Sequence, residues 1–141
     1  MRTLACLFAV SAVGVGLADT KDELKALTGT WVAESAELDG ADLTKAFKDY
    51  VLTLDGDKYE LDDKGRKDKG TVVVDGSKSP KHLDLTGGPT SPLKGKTIRC
   101  IYAVKDGKLT VCYGMDFKTR PAEFKTAKDS KQLLVVYKPK K

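Results

Sequence analysis

Apolar and polar residues alternate along most of the chain from residue 30 onward, which predicts a succession of short β-strands. Turn pairs such as Asp39-Gly40, Asp55-Gly56 and Asp106-Gly107 separate the alternating segments at intervals of about ten residues. A strand that alternates in this way buries one face and exposes the other. No long helical period interrupts the strands, so a parallel sheet with crossover helices is not expected. The pattern predicts an antiparallel barrel or sandwich of about eight strands.

The same pattern places the elements along the chain. Thr20 and Glu23 have the spacing of a capping box, which predicts a short helix that ends at Gly29. Residues 41–47 are expected to form a helical turn or two, and 62–69 and 86–96 to form loops. The predicted strands are 30–38, 50–54, a strand through Tyr59 and Leu61, 71–74, a strand through Leu83 and Leu85, 98–104, 109–113, 122–126 and 133–137. A short helix leading into one long strand suits a closed barrel whose mouth the helix plugs. We therefore predict an all-β fold, an antiparallel up-and-down β-barrel with a short N-terminal helix.

A hairpin around Asp106-Gly107 decides the expected state of two cysteines. A two-residue type I′ turn creates one wholly apolar face. The pairs on that face are Ile98 with Met115, Cys100 with Tyr113, Tyr102 with Val111, and Val104 with Leu109. Cys112 then lies opposite Ile101 on the other face, where it cannot reach Cys100. A three-residue loop with a bulge would set the cysteines opposite each other, but it would mix polar residues into the apolar face. The cleaner pattern favours two free thiols.

The first eighteen residues have the layout of a secretory signal peptide. Arg2 precedes an apolar run from Leu4 to Val15, and small residues follow at the two positions that a signal peptidase reads. The run is shorter than the roughly 20 apolar residues of a membrane-spanning helix, which favours cleavage over an anchor. We predict a signal peptide at 1–18 and one mature domain at 19–141 without a transmembrane segment. The mature chain is expected in the periplasm, the cell envelope or the extracellular space.

Composition and charge narrow the function classes. The formal net charge is +5, and the charged residues, 32% of the chain, are well mixed in sign, so a nucleic-acid surface is not expected. His82 is the only histidine, which excludes a multi-histidine zinc site, and the chain has no Gly-x-Ser-x-Gly elbow. The acidic pairs at 55–57 and 62–63 lack the spacing of a calcium loop. We predict no catalytic residue, metal ligand or cofactor, and no enzyme activity unless dispersed carboxylates supply one.

Gly29-Thr30-Trp31, at the start of the first strand, resembles the Gly-x-Trp signature of lipocalins. In that superfamily the Trp closes the barrel base and stacks on a basic residue, for which Lys138 and Arg99 are the candidates here. A wider pattern runs through the segments 27–31, 84–86, 94–99, 101–102, 109–113, 120–124 and 134–138. Together these segments resemble a functionally uncharacterised lipocalin-like domain family that is abundant in planctomycete bacteria. The resemblance covers nearly the whole mature chain and implies an exported barrel, without implying any catalytic residue.

The sequence thus predicts a non-enzymatic, exported lipocalin-like barrel that binds a small apolar or amphipathic ligand. Eight strands enclose room for packed side chains or for one small ligand. The alternative is a structural or protein-interaction module of the cell envelope that uses its surface, with the loop at 87–96 as the candidate. The residues expected to face the interior are Trp31, Leu52, Leu54, Tyr59, Val72, Tyr102, Val111, Tyr113, Phe124 and Val135. Those proposed as ligand contacts are Trp31, Leu54, Tyr59, Tyr102, Val111, Tyr113 and Phe124.

Overall fold

Antiparallel strands make up most of the computed structural model, which describes residues 17–141. All but the last two residues of the predicted signal peptide lie outside these described residues. The elements are α1 (Leu17–Leu27), β1 (Gly29–Leu38), β2 (Ala41–Asp42), a 3-10 helix (Thr44–Phe47), β3 (Tyr50–Asp55), β4 (Lys58–Asp63), β5 (Arg66–Asp75), β6 (Lys81–Gly87), β7 (Thr97–Lys105), β8 (Lys108–Gly114) and β9 (Gln132–Pro139). No helix in residues 17–141 combines the length and the apolar character needed to cross a membrane.

Eight of the strands close into a barrel. Neighbouring strands are antiparallel, and the order around the barrel is β1, β3, β4, β5, β6, β7, β8 and β9, after which β9 pairs with β1. The closing ladder runs from Trp31 opposite Pro139 to Leu38 opposite Leu133. Strand β2 adds only a two-residue hairpin to the end of β1. These pairings confirm the predicted fold class, an all-β, up-and-down barrel of the lipocalin-like type with a short helix.

The β7–β8 hairpin has the predicted register. Cys100 pairs with Tyr113, and Cys112 pairs with Ile101 on the opposite face of the sheet. The turn residues Asp106-Gly107 both have positive φ values, 55° and 77°, as a type I′ turn requires. Both cysteines are free, as the cleaner apolar pattern predicted.

Two details of that hairpin differ from the prediction. The ladder ends where Arg99 faces Gly114, so the predicted pair of Ile98 with Met115 does not form. Val104, predicted to lie on the buried face, is 48% exposed. It pairs with Leu109 one rung before the final Lys105–Lys108 pair, and whereas Leu109 is fully buried, Val104 lines an open depression near the end of the strand.

The charged segment 62–69, predicted to be a loop, instead forms the end of the β4–β5 hairpin. The strands meet at a two-residue turn, Lys64-Gly65, whose φ values are 56° and 90°. Lys67 Nζ lies 3.3 Å from Glu60 Oε2 and 3.8 Å from Asp62 Oδ2, so opposite charges meet across the two strands. The prediction was wrong because dense charge was interpreted as a sign of a loop, whereas here the charges decorate a solvated hairpin.

The strand predicted at 122–126 does not form. These residues belong to a segment without helix or strand, 115–131, which we call the strap. The strap covers the outer face of β7 and β8, where Ile101 and Cys112 are almost completely buried and Cys112 Sγ lies 3.8 Å from Lys125 O. Strand β9 already occupies the hydrogen-bonding edge of β8, so the barrel offers no position for another strand there.

Helix α1 closes one end of the barrel, which we call the base. Leu27 is 1% exposed, and its carbonyl oxygen accepts a hydrogen bond of 3.0 Å from Trp31 Nε1. Glu23 Oε1 accepts a hydrogen bond of 2.6 Å from Tyr102 Oη, and Glu23 Oε2 lies 3.0 Å from Lys81 Nζ. The predicted capping box is therefore wrong. Thr20 lies inside the helix, and the Glu23 carboxylate ties α1 to β6 and β7 instead of capping the helix.

The stacking contact expected between Trp31 and a basic residue does not form either. Arg99 Nη1 donates to Phe117 O at 3.0 Å, on the outer face of the barrel. Lys138 pairs with Val32, which lies on the opposite face of β1 from Trp31. Within the described part of the chain, the one cation–π contact is that of Lys96 Nζ with the Phe117 ring, at 5.2 Å.

The anchoring of α1 predicts a pH-dependent stability. The hydrogen bond from Tyr102, with the ammonium group of Lys81, lowers the pKa of Glu23 below its ordinary value of 4.5, although burial opposes this. A carboxylate whose pKa is lowered by folding stabilises the fold above the unfolded pKa and loses this contribution as the pH falls through the folded pKa. We expect Glu23→Gln to lower the free energy of unfolding by about 1 kcal/mol at pH 7 and by progressively less as the pH falls below 4.5 and through the lowered folded pKa.

Urea denaturation at a series of pH values measures this difference. Glu123→Gln is the matched control, because the Glu123 side chain is 68% exposed and its ion pair is with the equally exposed Lys125. That control should change stability by less than about 0.5 kcal/mol at every pH. A cost for Glu23→Gln that is the same at pH 3 and pH 7 would contradict the assigned role of the charge.

Candidate functional site

The interior of the barrel is largely filled by its own side chains. The core residues include nine of the ten predicted to face inward, namely Trp31, Leu52, Leu54, Tyr59, Val72, Tyr102, Val111, Tyr113 and Val135. Deep inside, the hydroxyl groups of Tyr113 and Tyr137 are 2.6 Å apart and satisfy each other. Side chains such as Leu109 and Val135 have no exposed surface at all. The predicted inward orientation is thus correct for these residues, but most of them form core rather than a ligand site.

Phe124 is the exception among the predicted ligand contacts. It lies in the strap rather than on a strand, and it is absent from the buried core. Together with Pro80, Ala103 and Val104 it lines a shallow depression on the outside of the barrel. The prediction was wrong because it assigned Phe124 to a strand that the closed barrel cannot accommodate.

A cavity of about 80 Å³ remains at the end of the barrel opposite α1, which we call the mouth. Of the predicted ligand contacts, only Tyr59 and Tyr113 reach it. The complete lining is Tyr50, Tyr59, Leu61, Asp68, Leu85, Leu93, Ile98, Tyr113, Met115 and Leu133. Every barrel strand except β1 contributes at least one residue to this lining. The site is therefore a product of barrel closure rather than of any one segment.

The loop between β6 and β7 forms one wall of the mouth. Gly88 N donates to Lys69 O at 2.9 Å, which fastens the loop to β5, and Gly87 forms an isolated bridge with Lys94. Ser91 is 7% exposed, and its Oγ accepts a hydrogen bond of 2.8 Å from Leu93 N. These bonds hold the Leu93 side chain over the cavity. The loop singled out from the sequence thus lies at the mouth, and Leu93 is its contribution to the site.

An open groove of about 320 Å³ adjoins the cavity on the solvent side. Tyr50, Leu61, Asp68 and Leu93 line both spaces, so the two are continuous. The residues that line only the groove are Asp63, Arg66, Lys67 and Pro92. The lining therefore changes from mostly apolar in the cavity to charged in the groove.

The polar groups of the cavity are three tyrosine hydroxyls and one carboxylate. Tyr59 Oη donates to Asp68 Oδ1 at 3.2 Å. Burial and the charge of Asp68 raise the pKa of Tyr59, and burial together with Asp63 and Asp68 raises the pKa of Tyr50. Burial also raises the pKa of Tyr113. All three phenols are therefore neutral near pH 7, and the Tyr113 hydroxyl is already paired with that of Tyr137.

Tyr50, Leu61 and Asp68 were missed as site residues by sequence reasoning, whereas Leu93 lies in the loop that it singled out. Asp68 fell within the charged segment predicted to be a loop, and Tyr50 was placed on a strand without being assigned to the interior. A local signal for Asp68 did exist. The Lys64-Gly65 pair, with charges of opposite sign at matching distances on either side, is typical of a hairpin turn, and this register places Asp68 opposite Leu61 on the inner face.

The other reactive side chains lie away from the mouth. His82 is on β6, next to inward-facing Leu83 and hence on the outer face, and burial and the charge of Arg120 lower its pKa. Burial raises the pKa of the Cys100 thiol, and burial raises that of Cys112 to about 11. Residues 17–141 contain no group of three or more His, Cys, Asp and Glu side chains arranged to hold a metal ion.

Comparisons of the chain with known protein families, characterised proteins and solved structures find no match. The barrel is established by its strand pairings, whereas membership of the planctomycete lipocalin-like family stays a prediction. The mouth cavity is therefore the feature from which a function can be inferred.

The buried thiols give a direct prediction. Cys100 and Cys112 are fully buried and have raised pKa values, so few thiolate ions are available to react. In a Cys6→Ser variant at pH 8, we expect the two to react with Ellman's reagent at least about a hundredfold more slowly in the native protein than in urea. In urea without reductant, two thiols per chain should titrate. Fewer than two would indicate a disulfide and contradict the observed register.

Proposed function

We propose that the chain is a non-catalytic binding protein that holds a small amphipathic ligand at the barrel mouth. The observation that carries this proposal is the cavity of about 80 Å³, which has an apolar wall and opens into a charged groove. Its volume is well below the roughly 300–1,000 Å³ of pockets that enclose a drug-sized molecule. Only the apolar end of a ligand would enter the cavity, and the polar end would lie in the groove.

The size of the cavity sets the expected affinity. A short alkyl chain of about four methylene groups gains roughly 3 kcal/mol on leaving water. That gain by itself corresponds to a dissociation constant of roughly 6 mM, and association also costs translational and rotational freedom, so burial of the chain alone supports binding no tighter than on the order of 10 mM. Polar contacts in the groove would have to supply any tighter binding. The natural ligand is therefore expected to carry a polar group that matches the groove.

The placement of reactive groups supports a binding role rather than catalysis. The tyrosines of the mouth are neutral phenols, the two thiols are buried elsewhere, and His82 lies on the outer face of β6. Asp63 and Arg66 form an ion pair at the edge of the groove, with Asp63 Oδ2 2.7 Å from Arg66 Nη2. Asp68 does lie beside the Tyr59 hydroxyl, but the charge of Asp68, together with burial, raises the pKa of that phenol and opposes its activation as a nucleophile.

We also propose that the barrel works outside the cytoplasm. The support is the pattern of the first eighteen residues, with Arg2 before the apolar run from Leu4 to Val15. Sequencing the N-terminus of the protein purified from its native source would test this proposal. A chain that still begins at Met1 would count against export by a cleaved signal.

Met115 offers a local probe of binding at the mouth. The chain has two methionines, and the other is Met1, in the predicted signal peptide. Labelling the methionine methyl groups with ¹³C therefore gives one resonance at the cavity. We expect compounds with a five-carbon chain and a range of polar groups to shift this resonance in a saturable way, with at least one compound binding at about 1 mM or tighter.

A pair of variants tests where binding occurs. Leu93→Trp places a larger side chain over the cavity and should weaken binding about tenfold or more. Val73→Trp makes the same kind of change at a position that is 62% exposed on the outside of the barrel, and it should leave binding unchanged. Circular dichroism and thermal unfolding establish that both variants fold. Equal binding by the two variants, or no saturable shift with any compound, would refute the mouth as the site.

A further inference from the structure

The lining of the mouth cavity carries a negative charge and no positive charge. Asp68 is the single charged residue among the ten that line it, and no basic residue lines it. Tyr59 Oη donates one hydrogen bond to Asp68 Oδ1, at 3.2 Å. A carboxylate has two oxygens and can accept several hydrogen bonds, so Asp68 retains unused acceptor capacity toward the cavity and the groove.

The basic residues nearest to Asp68 along β5 form ion pairs with other acidic residues. Arg66 Nη2 lies 2.7 Å from Asp63 Oδ2. Lys67 and Lys69 both approach Glu60, at 3.3 Å and 3.6 Å. Within residues 17–141, Asp68 has no ion-pair partner within 4.0 Å.

Alternation along the strand explains this distribution of charge. Lys67 and Lys69 point to the outer face of the hairpin, together with Glu60. Asp68 lies between them and points to the inner face, in register with Leu61. Lys69 is thus held on the opposite side of the sheet, and Lys67, which lies at the edge of the groove, is engaged by Glu60 and Asp62 instead of Asp68.

Two aromatic rings stand beside the carboxylate. Tyr50 and Tyr59 line the cavity with Asp68, and Tyr50 is supported from behind by Phe47, whose ring centroid is 4.6 Å away. The faces of such rings attract cations, and the attraction grows when water is excluded. A carboxylate flanked by neutral phenols is a suitable environment for an ammonium group and an unfavourable one for an anion.

We infer that the ligand of the mouth is an organic cation, a protonated primary amine on a short apolar chain. This inference rests on the proposed function and specifies the ligand class for the same site. The apolar chain enters the cavity between Leu85, Ile98 and Leu133, and the ammonium group donates to Asp68 where the cavity meets the groove. A carboxylate on the same chain would meet Asp68 with a like charge and be excluded.

Three probes with the same chain and different polar groups test this inference. Pentylamine, pentan-1-ol and pentanoate are titrated into the ¹³C-methyl-methionine protein at pH 7, and the Met115 resonance is followed. We expect pentylamine to bind about tenfold more tightly than pentan-1-ol, and pentanoate to bind more weakly than either. Raising the salt concentration from about 0.02 M to 0.5 M should weaken the binding of pentylamine but not that of pentan-1-ol.

A charge-neutral variant identifies the group responsible. Asp68→Asn keeps the shape of the side chain and an oxygen that can accept from Tyr59, so we expect it to fold. It should weaken the binding of pentylamine about tenfold and change the binding of pentan-1-ol by less than about twofold. Asp57→Asn is the matched control, since Asp57 is an exposed turn residue at the base and pairs only with the exposed Lys58. It removes the same charge and should leave all three affinities unchanged.

The possible outcomes separate this inference from the proposed function. If none of the three probes shifts the Met115 resonance, the mouth is not a binding site, and both proposals are wrong. If pentan-1-ol or pentanoate binds as tightly as pentylamine, the cavity binds ligands but does not select a cation. Unchanged binding of pentylamine by Asp68→Asn, or an equal loss in Asp57→Asn, would also overturn the assignment to Asp68. If Asp68→Asn fails to fold, the ranking of the three probes on the unmodified protein still tests the inference.

Discussion

The pairing of β1 with β9 is the interaction on which the rest of the structure depends. It joins the first and last strands of the sheet and leaves the barrel without an open edge, apart from the short β2 hairpin. Closure also brings the inner faces of all the strands around one axis, where their apolar side chains exclude water from each other. The strand register that forms the backbone hydrogen bonds also places the apolar side chains in the core. The alternation along each strand and the topology of the whole barrel therefore specify the same fold.

The two ends of the barrel are closed in different ways. At the base, the buried Leu27 side chain and the hydrogen bonds of Glu23 and Trp31 fix α1 in place over the end of the barrel. At the mouth, the covering segments are loops, and their backbones satisfy their own hydrogen bonds instead of filling the interior. The space that remains there is lined by side chains that the barrel places but does not cover. This asymmetry explains why the candidate site is at the mouth.

The strap gives the barrel a second, smaller buried layer. It covers Ile101 and Cys112, which point away from the main core and do not belong to it. Arg120 fastens the strap to the sheet, since its Nη1 lies 2.8 Å from Cys100 O and 2.7 Å from Asp84 Oδ1. The contact with Cys100 O is a hydrogen bond and that with Asp84 is an ion pair, and together they hold the guanidinium group against the sheet. The strap also carries Met115 into the mouth, so it connects the outer layer to the candidate site.

The sequence by itself determined most of the strands, the type I′ turn at Asp106-Gly107, the free cysteines and the inward orientation of most core residues. These features follow from a period of two residues and from turn chemistry, both of which act over a few neighbouring positions. The hairpin at 62–69 also had a local signal, the Lys64-Gly65 turn, although its dense charge was interpreted as a loop. Only the tertiary structure decided that Phe124 lies outside the barrel and that Asp68 faces a cavity without a basic partner. Those outcomes depend on which strands become neighbours and on what covers the ends of the barrel. Contacts between residues far apart in the chain set both, and no local pattern encodes them.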